Sequence, residues 1–182
     1  MTFEKTVTLK DGRTCLLRNG VTSDGKAVLD VFNRTHEETD YLLTYSDENR
    51  FTASQEADFL QRKTDSTNTV EIIAVVDGVV AGTAGIDALG MRDKIKHRAV
   101  FGIAITKEFW GLGIGKYLME ACIECAREAG YLQLELEVVA ENERAVEMYR
   151  RAGFIEYGRN PKAFRLRTGE YQELIDMRLE LK

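Results

Sequence analysis

Alternation of apolar and polar residues predicts two hairpins in the first half of the chain. Residues 5–18 alternate on both sides of Asp11-Gly12, and residues 71–85 form two apolar runs separated by Asp77-Gly78. An Asp-Gly pair between two such runs favours a two-residue turn, because both of its residues tolerate positive φ. We therefore predict antiparallel strand pairs over residues 5–18 and 71–85.

Four other segments carry apolar residues at helical spacing. The first covers about residues 24–39, and the second begins at Thr52 or Ser54, residue types that favour a helix N-cap. The third follows a glycine-rich turn and ends at Gly130, and the fourth covers residues 143–151. A glycine directly after a helix favours a left-handed C-cap, so the end of the third helix is well marked.

The remaining apolar stretches read as strands, two of them short pieces on either side of Pro161. They cover residues 98–105, 133–138, 155–158, 162–167 and 171–181. Strands and helices mixed around a largely antiparallel sheet indicate an α+β fold. The length of 182 residues is typical of one domain, which we assign to residues 1–182.

The most informative stretch is an apolar strand, residues 100–105, that leads into Gly111, Gly113 and Gly115 and then directly into a helix. Glycine reaches positive φ and lets a backbone approach an anion closely. The free N–H groups and the positive end of the helix dipole then face the same point. The pattern therefore predicts a site for phosphate or pyrophosphate.

Two common phosphate-binding motifs do not fit the spacing of these glycines. The dinucleotide fingerprint fails from Gly111 and from Gly113, because its last glycine falls on Lys116 or Leu118. The P-loop fails because Tyr117 stands where Ser or Thr is needed to bind magnesium. The spacing therefore disfavours a nucleotide-dependent enzyme.

The same turn resembles the acetyl-CoA pyrophosphate loop of the GCN5-related N-acetyltransferase (GNAT) superfamily, usually Arg/Gln-x-x-Gly-x-Gly/Ala. Residues 110–115 cover it, with Trp110 where Arg or Gln is commoner. A second block of that superfamily, Asn-x-x-Ala-x-x-x-Tyr-x-x-x-Gly-Phe, is matched by Asn142, Ala145, Tyr149, Gly153 and Phe154. The chain is thus identified as a member of this superfamily, closest to the branch of the ribosomal-protein alanine acetyltransferases.

The resemblance implies the GNAT fold, a mixed and mostly antiparallel sheet of six to seven strands with about four helices. It implies that the strands over residues 100–105 and 133–138 splay apart and admit the pantetheine arm of acetyl-CoA, the acyl donor. Backbone N–H groups left unpaired there suit a developing oxyanion. The cofactor-binding residues are then expected to be Ile103, Ala104, Ile105, Trp110, Gly111, Leu112, Gly113, Ile114, Gly115, Lys116, Asn142 and Tyr149.

Two residues are the candidates for acid–base catalysis. Tyr149 matches the superfamily's tyrosine near the CoA sulfur, which implies a general acid; the alternative is a tyrosine that only packs on the sheet. Glu137 stands where the alanine acetyltransferase branch has a catalytic glutamate, and Glu135 points to the same face. Many members carry an acidic residue on the earlier strand, where this chain has Phe101. A water-mediated base and a merely solvated Glu137 remain open.

We expect the acceptor substrate to bind between the first two helices, where Glu37 and Tyr41 belong to an acidic and aromatic segment. Such a rim suits a cationic primary amine on a small molecule or a peptide, although an ordinary solvated loop has the same composition. The alternative to an N-acetyltransferase is a non-catalytic acyl-CoA-binding sensor or interaction module of the same fold.

Charge, the start of the chain and the cysteines limit the kinds of partner and cellular location that we expect. The formal net charge of −5 disfavours nucleic acid and membrane surfaces as partners. The start of the chain has no signal-peptide pattern, so we expect a cytoplasmic protein. Cys122 and Cys125 lie within a helical pattern, which indicates inward packing rather than a metal site. Dimerisation, common in the superfamily, is a further expectation.

Overall fold

The computed structural model describes residues 1–181, in which eight strands form one sheet with four α-helices. The strands are β1 (Glu4–Thr8), β2 (Thr14–Asn19), β3 (Val70–Val76), β4 (Val79–Ala88), β5 (Arg98–Ile105), β6 (Gln133–Val139), β7 (Ile155–Arg165) and β8 (Tyr171–Glu180). The helices are α1 (Gly25–Glu38), α2 (Ala53–Asp65), α3 (Ile114–Glu128) and α4 (Glu143–Arg151). Short 3₁₀ turns lie at Thr22–Asp24, Ser46–Glu48 and Lys107–Phe109.

The strand order is β1-β2-β3-β4-β5-β6-β8-β7, and β5 and β6 form the one parallel pair. The predicted mixed, mostly antiparallel sheet is therefore confirmed, but it has eight strands rather than six to seven. The two pieces expected around Pro161 are a single strand, β7, whose register shifts twice along β8. Because β7 lies at the edge of the sheet, it tolerates a proline that a central strand would exclude.

Both hairpins form where the Asp-Gly pairs predicted them. Asp77 has φ 52° and Gly78 has φ 81°, so both central residues lie in the left-handed region that a type I′ turn needs. The second helix begins with a capping box at Thr52, whose hydroxyl accepts from the Gln55 N–H while the Gln55 side chain accepts from the Thr52 N–H. Local sequence therefore determined these boundaries.

The helices pack on both faces of the sheet, and β3 lies between them. Ile72, Ala74 and Val76 join the main core with α3, whereas Ile73 packs with Val28 of α1 and Leu60 of α2. Since successive strand residues point to opposite faces, this division places α1 and α2 on one face and α3 on the other. Cys122 and Cys125 are buried in the α3 core, as their helical spacing predicted.

Among residues 1–181, no helix combines the length and the apolar character that crossing a membrane would require.

Candidate active site

The sheet forks at its centre, where β5 and β6 diverge. They pair only through Arg98, Ala99 and Val100 on β5, which face residues 133–135 on β6. Beyond Val100, β5 continues to pair with β4, and β6 continues to pair with β8. Backbone groups of residues 101–105 that point toward β6 therefore lack a strand partner, as the sequence led us to expect for the stretch that includes Ile103, Ala104 and Ile105.

An ion pair closes the base of this fork. Arg98 Nη2 donates to Glu135 Oε2 at 2.7 Å, and Arg98 Nε donates to the other oxygen of the same carboxylate. Hydrogen bonding to Glu135 raises the pKa of the Arg98 guanidinium. The ion pair therefore joins β5 to β6 within the short stretch where the two strands are still paired.

The glycine-rich turn lies between the end of β5 and the start of α3. Gly111 has φ 88° and Gly113 has φ 95°, values that favour glycine over residues with a Cβ. Gly113 is the N-cap of α3 and supplies no side-chain hydrogen bond to the helix. The N–H groups of the first turn, Ile114 to Lys116, are therefore available to an anion, and the helix dipole favours one there.

Trp110 stands where Arg or Gln is commoner, and its indole N–H is bound within the chain. Its indole Nε1–H donates to the carbonyl oxygen of Ile105 at 2.7 Å, which satisfies the last carbonyl of β5. The ring also lies near two cations, Lys107 Nζ at 6.0 Å and Arg144 Cζ at 5.9 Å from its centroid. Trp110 thus ties the start of the glycine-rich turn to the end of β5.

Two cations flank the turn, and sequence reasoning missed both. The Lys10 N–H, in the β1–β2 turn, donates to the Leu112 carbonyl at 3.1 Å, and the Lys10 side chain passes 3.9 Å from where a Cβ on Gly113 would lie. On α4, Arg144 Nη2 lies 3.7 Å from the equivalent point at Gly111. Within residues 1–181 neither cation takes part in an ion pair. No local motif reveals them, because distant segments bring them together.

One cavity of about 870 Å³ joins the glycine-rich turn to the fork. Most residues that the sequence singled out line it: Ile103, Ala104, Ile105, Trp110, Gly111, Gly113, Ile114, Gly115, Lys116, Tyr41, Glu137, Asn142 and Tyr149. Two do not. Leu112 packs against the main core, and Glu37 lies exposed on α1 outside the lining.

Tyr149 lies on α4 and is only 6% exposed. Its ring meets Phe101 edge-on at 6.2 Å between centroids and lies 5.8 Å from Phe154. Burial raises the pKa of the Tyr149 phenol well above its usual value of 10, so the hydroxyl keeps its proton. Asn142 caps α4 with its Oδ1, which accepts from the Ala145 N–H at 3.3 Å.

Glu137 and Glu135 have different surroundings, although both lie on β6. Glu135 is buried and bound by Arg98, whereas Glu137 is exposed and lines the cavity. The cross-strand neighbour of Glu137 is Asp176 on β8. Only Glu137 of the two glutamates is therefore placed to exchange a proton with a molecule in the cavity.

Another part of the cavity lining carries no charge, and we call it the uncharged wall. It consists of Thr35, Thr39, Tyr41, Leu42, Leu43, Phe164 and Leu174. The segment between α1 and α2 is held to the β7–β8 turn by Arg167, whose backbone N–H donates to the Tyr45 hydroxyl at 3.0 Å and whose guanidinium donates to Asp47 at 2.7 Å.

The forked sheet, the uncapped helix start beside it, and the buried tyrosine and exposed glutamate in one cavity together match the arrangement expected of a CoA-dependent acyltransferase. Residues 28–154 match the model of the acetyltransferase (GNAT) family. The chain belongs to this family, whose acyl donor is acetyl-CoA. The predicted enzyme class, an acetyl-CoA-dependent N-acetyltransferase, is confirmed.

Individual relatives agree with this assignment. The chain is 32% identical over 118 residues to the L-amino acid N-acetyltransferase AaaT of Escherichia coli, which covers 64% of this chain and 72% of that protein. A GNAT-family acetyltransferase from Streptococcus pneumoniae superimposes with a TM-score of 0.87 at 28% identity, covering 91% of this chain and 99% of that one.

Two more distant structures share the fold. The protein yncA from Salmonella typhimurium, solved with its cofactor acetyl-CoA, has a TM-score of 0.81 at 17% identity, with 91% and 93% of the two chains covered. A ribosomal-protein-alanine N-acetyltransferase from Brucella melitensis has a TM-score of 0.80 at 22% identity, with 91% and 99% covered.

Proposed function

We propose that this protein transfers the acetyl group of acetyl-CoA to a primary amine by direct attack, with Glu137 as the general base and Tyr149 as the general acid. The observation that carries the proposal is that a single cavity joins the glycine-rich turn, the fork and both of these side chains. The proposed donor site and the two groups proposed to exchange protons therefore line the same cavity.

The residues at the glycine-rich turn fit the donor. The uncapped first turn of α3 offers N–H groups to the pyrophosphate, and Lys10 and Arg144 offer positive charge on either side of it. Asn142 lines the cavity and caps α4, and in this proposal its amide also binds the pantetheine arm. Backbone N–H groups of residues 103–105 that face the fork stabilise the negative charge that develops on the thioester oxygen. Bound acetyl-CoA supplies the activated acetyl group.

The two proton transfers fall to Glu137 and Tyr149. Amines of the lysine type are protonated at neutral pH, so Glu137 first removes a proton from the ammonium group. The freed nitrogen lone pair forms the C–N bond as the C–S bond breaks. Tyr149, which burial keeps protonated, donates its proton to the departing thiolate. The acetylated nitrogen then loses its second proton, which gives the neutral amide. Of the two protons that leave the nitrogen, one restores Tyr149 and the other passes from Glu137 to solvent, so the products are the N-acetylated amine and CoA.

Two kinds of primary amine are candidates for the acceptor. The resemblance to the alanine acetyltransferase branch favours the amino terminus of a protein, and the similarity to an L-amino acid N-acetyltransferase favours a small molecule. Both kinds present an amine that Glu137 would deprotonate in the proposed reaction.

The test is the release of CoA from acetyl-CoA in the presence of amino acids, amino-acid amides, polyamines and amino-terminal peptides. We expect one class of amine to stimulate release. Glu137→Gln should lower kcat/KM for that amine about 100-fold and leave acetyl-CoA binding unchanged. Glu141→Gln, an exposed glutamate outside the cavity, is the matched control. Binding of acetyl-CoA without transfer to any amine would favour a non-catalytic acyl-CoA-binding module instead.

A further inference from the structure

Charge is unevenly distributed over the cavity. The four cations that line it are Lys10, Lys116, Arg144 and Arg151, and all belong to the β1–β2 turn, α3 or α4. The uncharged wall comes from α1, the segment after it, β7 and β8, and over residues 1–181 those elements contribute no Lys, Arg or His to the lining. A substrate that lies along this wall therefore meets no cationic side chain.

The charge beside the wall is negative. Glu137 lies directly across from Asp176 on the neighbouring strand, and directly opposed residues of an antiparallel pair point to the same face. Leu174 of the uncharged wall is two residues from Asp176 on the same strand, so it shares that face as well. Glu137, which lines the cavity, attracts an ammonium group and repels a carboxylate attached next to it, and Asp176, outside the lining, adds negative charge on the same face.

Two basic residues near the wall, Arg167 and Arg34, are already engaged. Arg167 donates to Asp47 at 2.7 Å and lies over the Tyr45 ring at 4.0 Å. Arg34 donates to both Glu38 and Glu108 at 2.9 Å. Neither arginine lines the cavity, and a substrate carboxylate would have to compete with an existing partner to bind either of them.

We infer that the acceptor is a primary amine whose adjacent carbon carries an apolar group and no free carboxylate. The amino-terminal residue of a peptide and an alkylamine share this chemistry, whereas a free amino acid does not. The inference rests on the proposed function, because it concerns the acceptor of the same reaction.

The experiment compares leucine with leucine amide and with isoamylamine, which all have the same branched side chain. We expect kcat/KM, calculated on the unprotonated amine over a range of pH, to be at least about tenfold higher for the amide and for isoamylamine than for leucine. Isoamylamine controls for basicity, since an alkylamine titrates near a lysine, about 10.4, and the α-amine of an amide or peptide near 8. A Leu-Ala-Ala peptide amide separates the two sources: a further gain over leucine amide indicates a peptide acceptor, and no gain indicates a small amine.

A variant pair tests the cause of the preference. Leu43 lines the wall and Met91 lies outside the cavity, and both are 78% exposed, so each accepts an arginine without loss of packing. Leu43→Arg should bring leucine closer to leucine amide, reducing their ratio at least about threefold, and Met91→Arg should leave the ratio unchanged.

The possible outcomes distinguish a failure of the inference from a failure of the proposed function. If leucine is acetylated as efficiently as leucine amide, the inference is overturned and the proposed function stands. If acetyl-CoA binds in calorimetry but none of these amines or those of the wider panel releases CoA, the proposed function fails and the inference with it.

Discussion

Removing the Tyr149 hydroxyl is the most direct test of the proton transfer to the leaving group. Tyr149→Phe keeps the ring, and therefore keeps the contacts with Phe101 at 6.2 Å and Phe154 at 5.8 Å. The fold should be retained, because the change deletes one oxygen and leaves no cavity larger than that atom. A loss of activity would then report on chemistry.

The size of the expected loss follows from the surroundings of Tyr149. Its 6% exposure leaves little room for a water molecule to replace it as the proton donor. A general acid contributes about 10²- to 10⁴-fold, and a thiol with a pKa of about 8.5 is a good leaving group that needs the lower end of that range. We therefore expect kcat to fall about 100-fold, equivalent to about 2.7 kcal/mol in the activation free energy.

The assay measures kcat, KM for the amine and the acetyl-CoA Kd of wild type and variant. The acetyl-CoA Kd should change less than about twofold, since the hydroxyl acts on the departing sulfur. Because burial raises the folded-state pKa of Tyr149 above its unfolded value of 10, the proton is retained and the wild type should not lose this acid below about pH 10. Because the pKa of Tyr149 is higher in the folded state than in the unfolded state, this difference stabilises the folded protein below pH 10, and the stabilisation is lost as the pH rises above 10.

Tyr131→Phe is the control, because Tyr131 is also buried but its hydroxyl donates to the Asn68 carbonyl at 2.9 Å, outside the cavity. This variant should lose about 1 kcal/mol of stability and no activity. If Tyr149→Phe retains the wild-type kcat, the assignment of Tyr149 as the acid is refuted, and the tyrosine only packs on the sheet.

Three further substitutions test the phosphate end and the base of the fork. Lys10→Ala should weaken acetyl-CoA binding about tenfold and reduce its dependence on salt, measured by calorimetry at two ionic strengths; an equal effect of Lys5→Ala, outside the cavity, would contradict a local contact. Gly113→Val forces a β-branched residue to φ 95° at a cost of about 1–3 kcal/mol, although a Cβ there meets no atom closer than 3.9 Å. Its acetyl-CoA Kd should rise at least about tenfold, and a normal Kd would remove the turn from the binding site. Arg98→Ala leaves Glu135 buried without its partner and should lower the unfolding free energy in urea by about 2–4 kcal/mol, and adding Glu135→Gln should recover part of that loss.

Local sequence determined the features that depend on a few neighbouring residues. The Asp77-Gly78 turn formed as predicted because its two residues tolerate positive φ, whatever the rest of the chain does. The glycine-rich turn before α3 likewise needs only its own residues to expose the first N–H groups of the helix. The glycine-rich turn and the Asn142-to-Phe154 block were together enough to identify the family.

The tertiary structure decided everything that depends on which segments meet. Glu135 and Glu137 are equivalent in the alternation of β6, and only the position of Arg98 across the fork makes one a buried ion-pair partner and leaves the other in the cavity. Lys10 lies a hundred residues before Gly113 in the chain, yet the β1–β2 turn places its side chain beside that glycine.

In the proposed acceptor region, too, the composition was clear from the sequence, and the tertiary structure decided which residues line the cavity. The acidic residues at the end of α1 and after it suggested an acidic rim. The side chains after α1 that line the cavity include Tyr41, Leu42 and Leu43, whereas Glu37 lies outside the lining. Composition reports which residues a segment contains, whereas the path of its backbone decides which of them face inward. Contacts that no local pattern encodes help to hold that path, among them those of Arg167 with Tyr45 and Asp47, about 120 residues away in the chain.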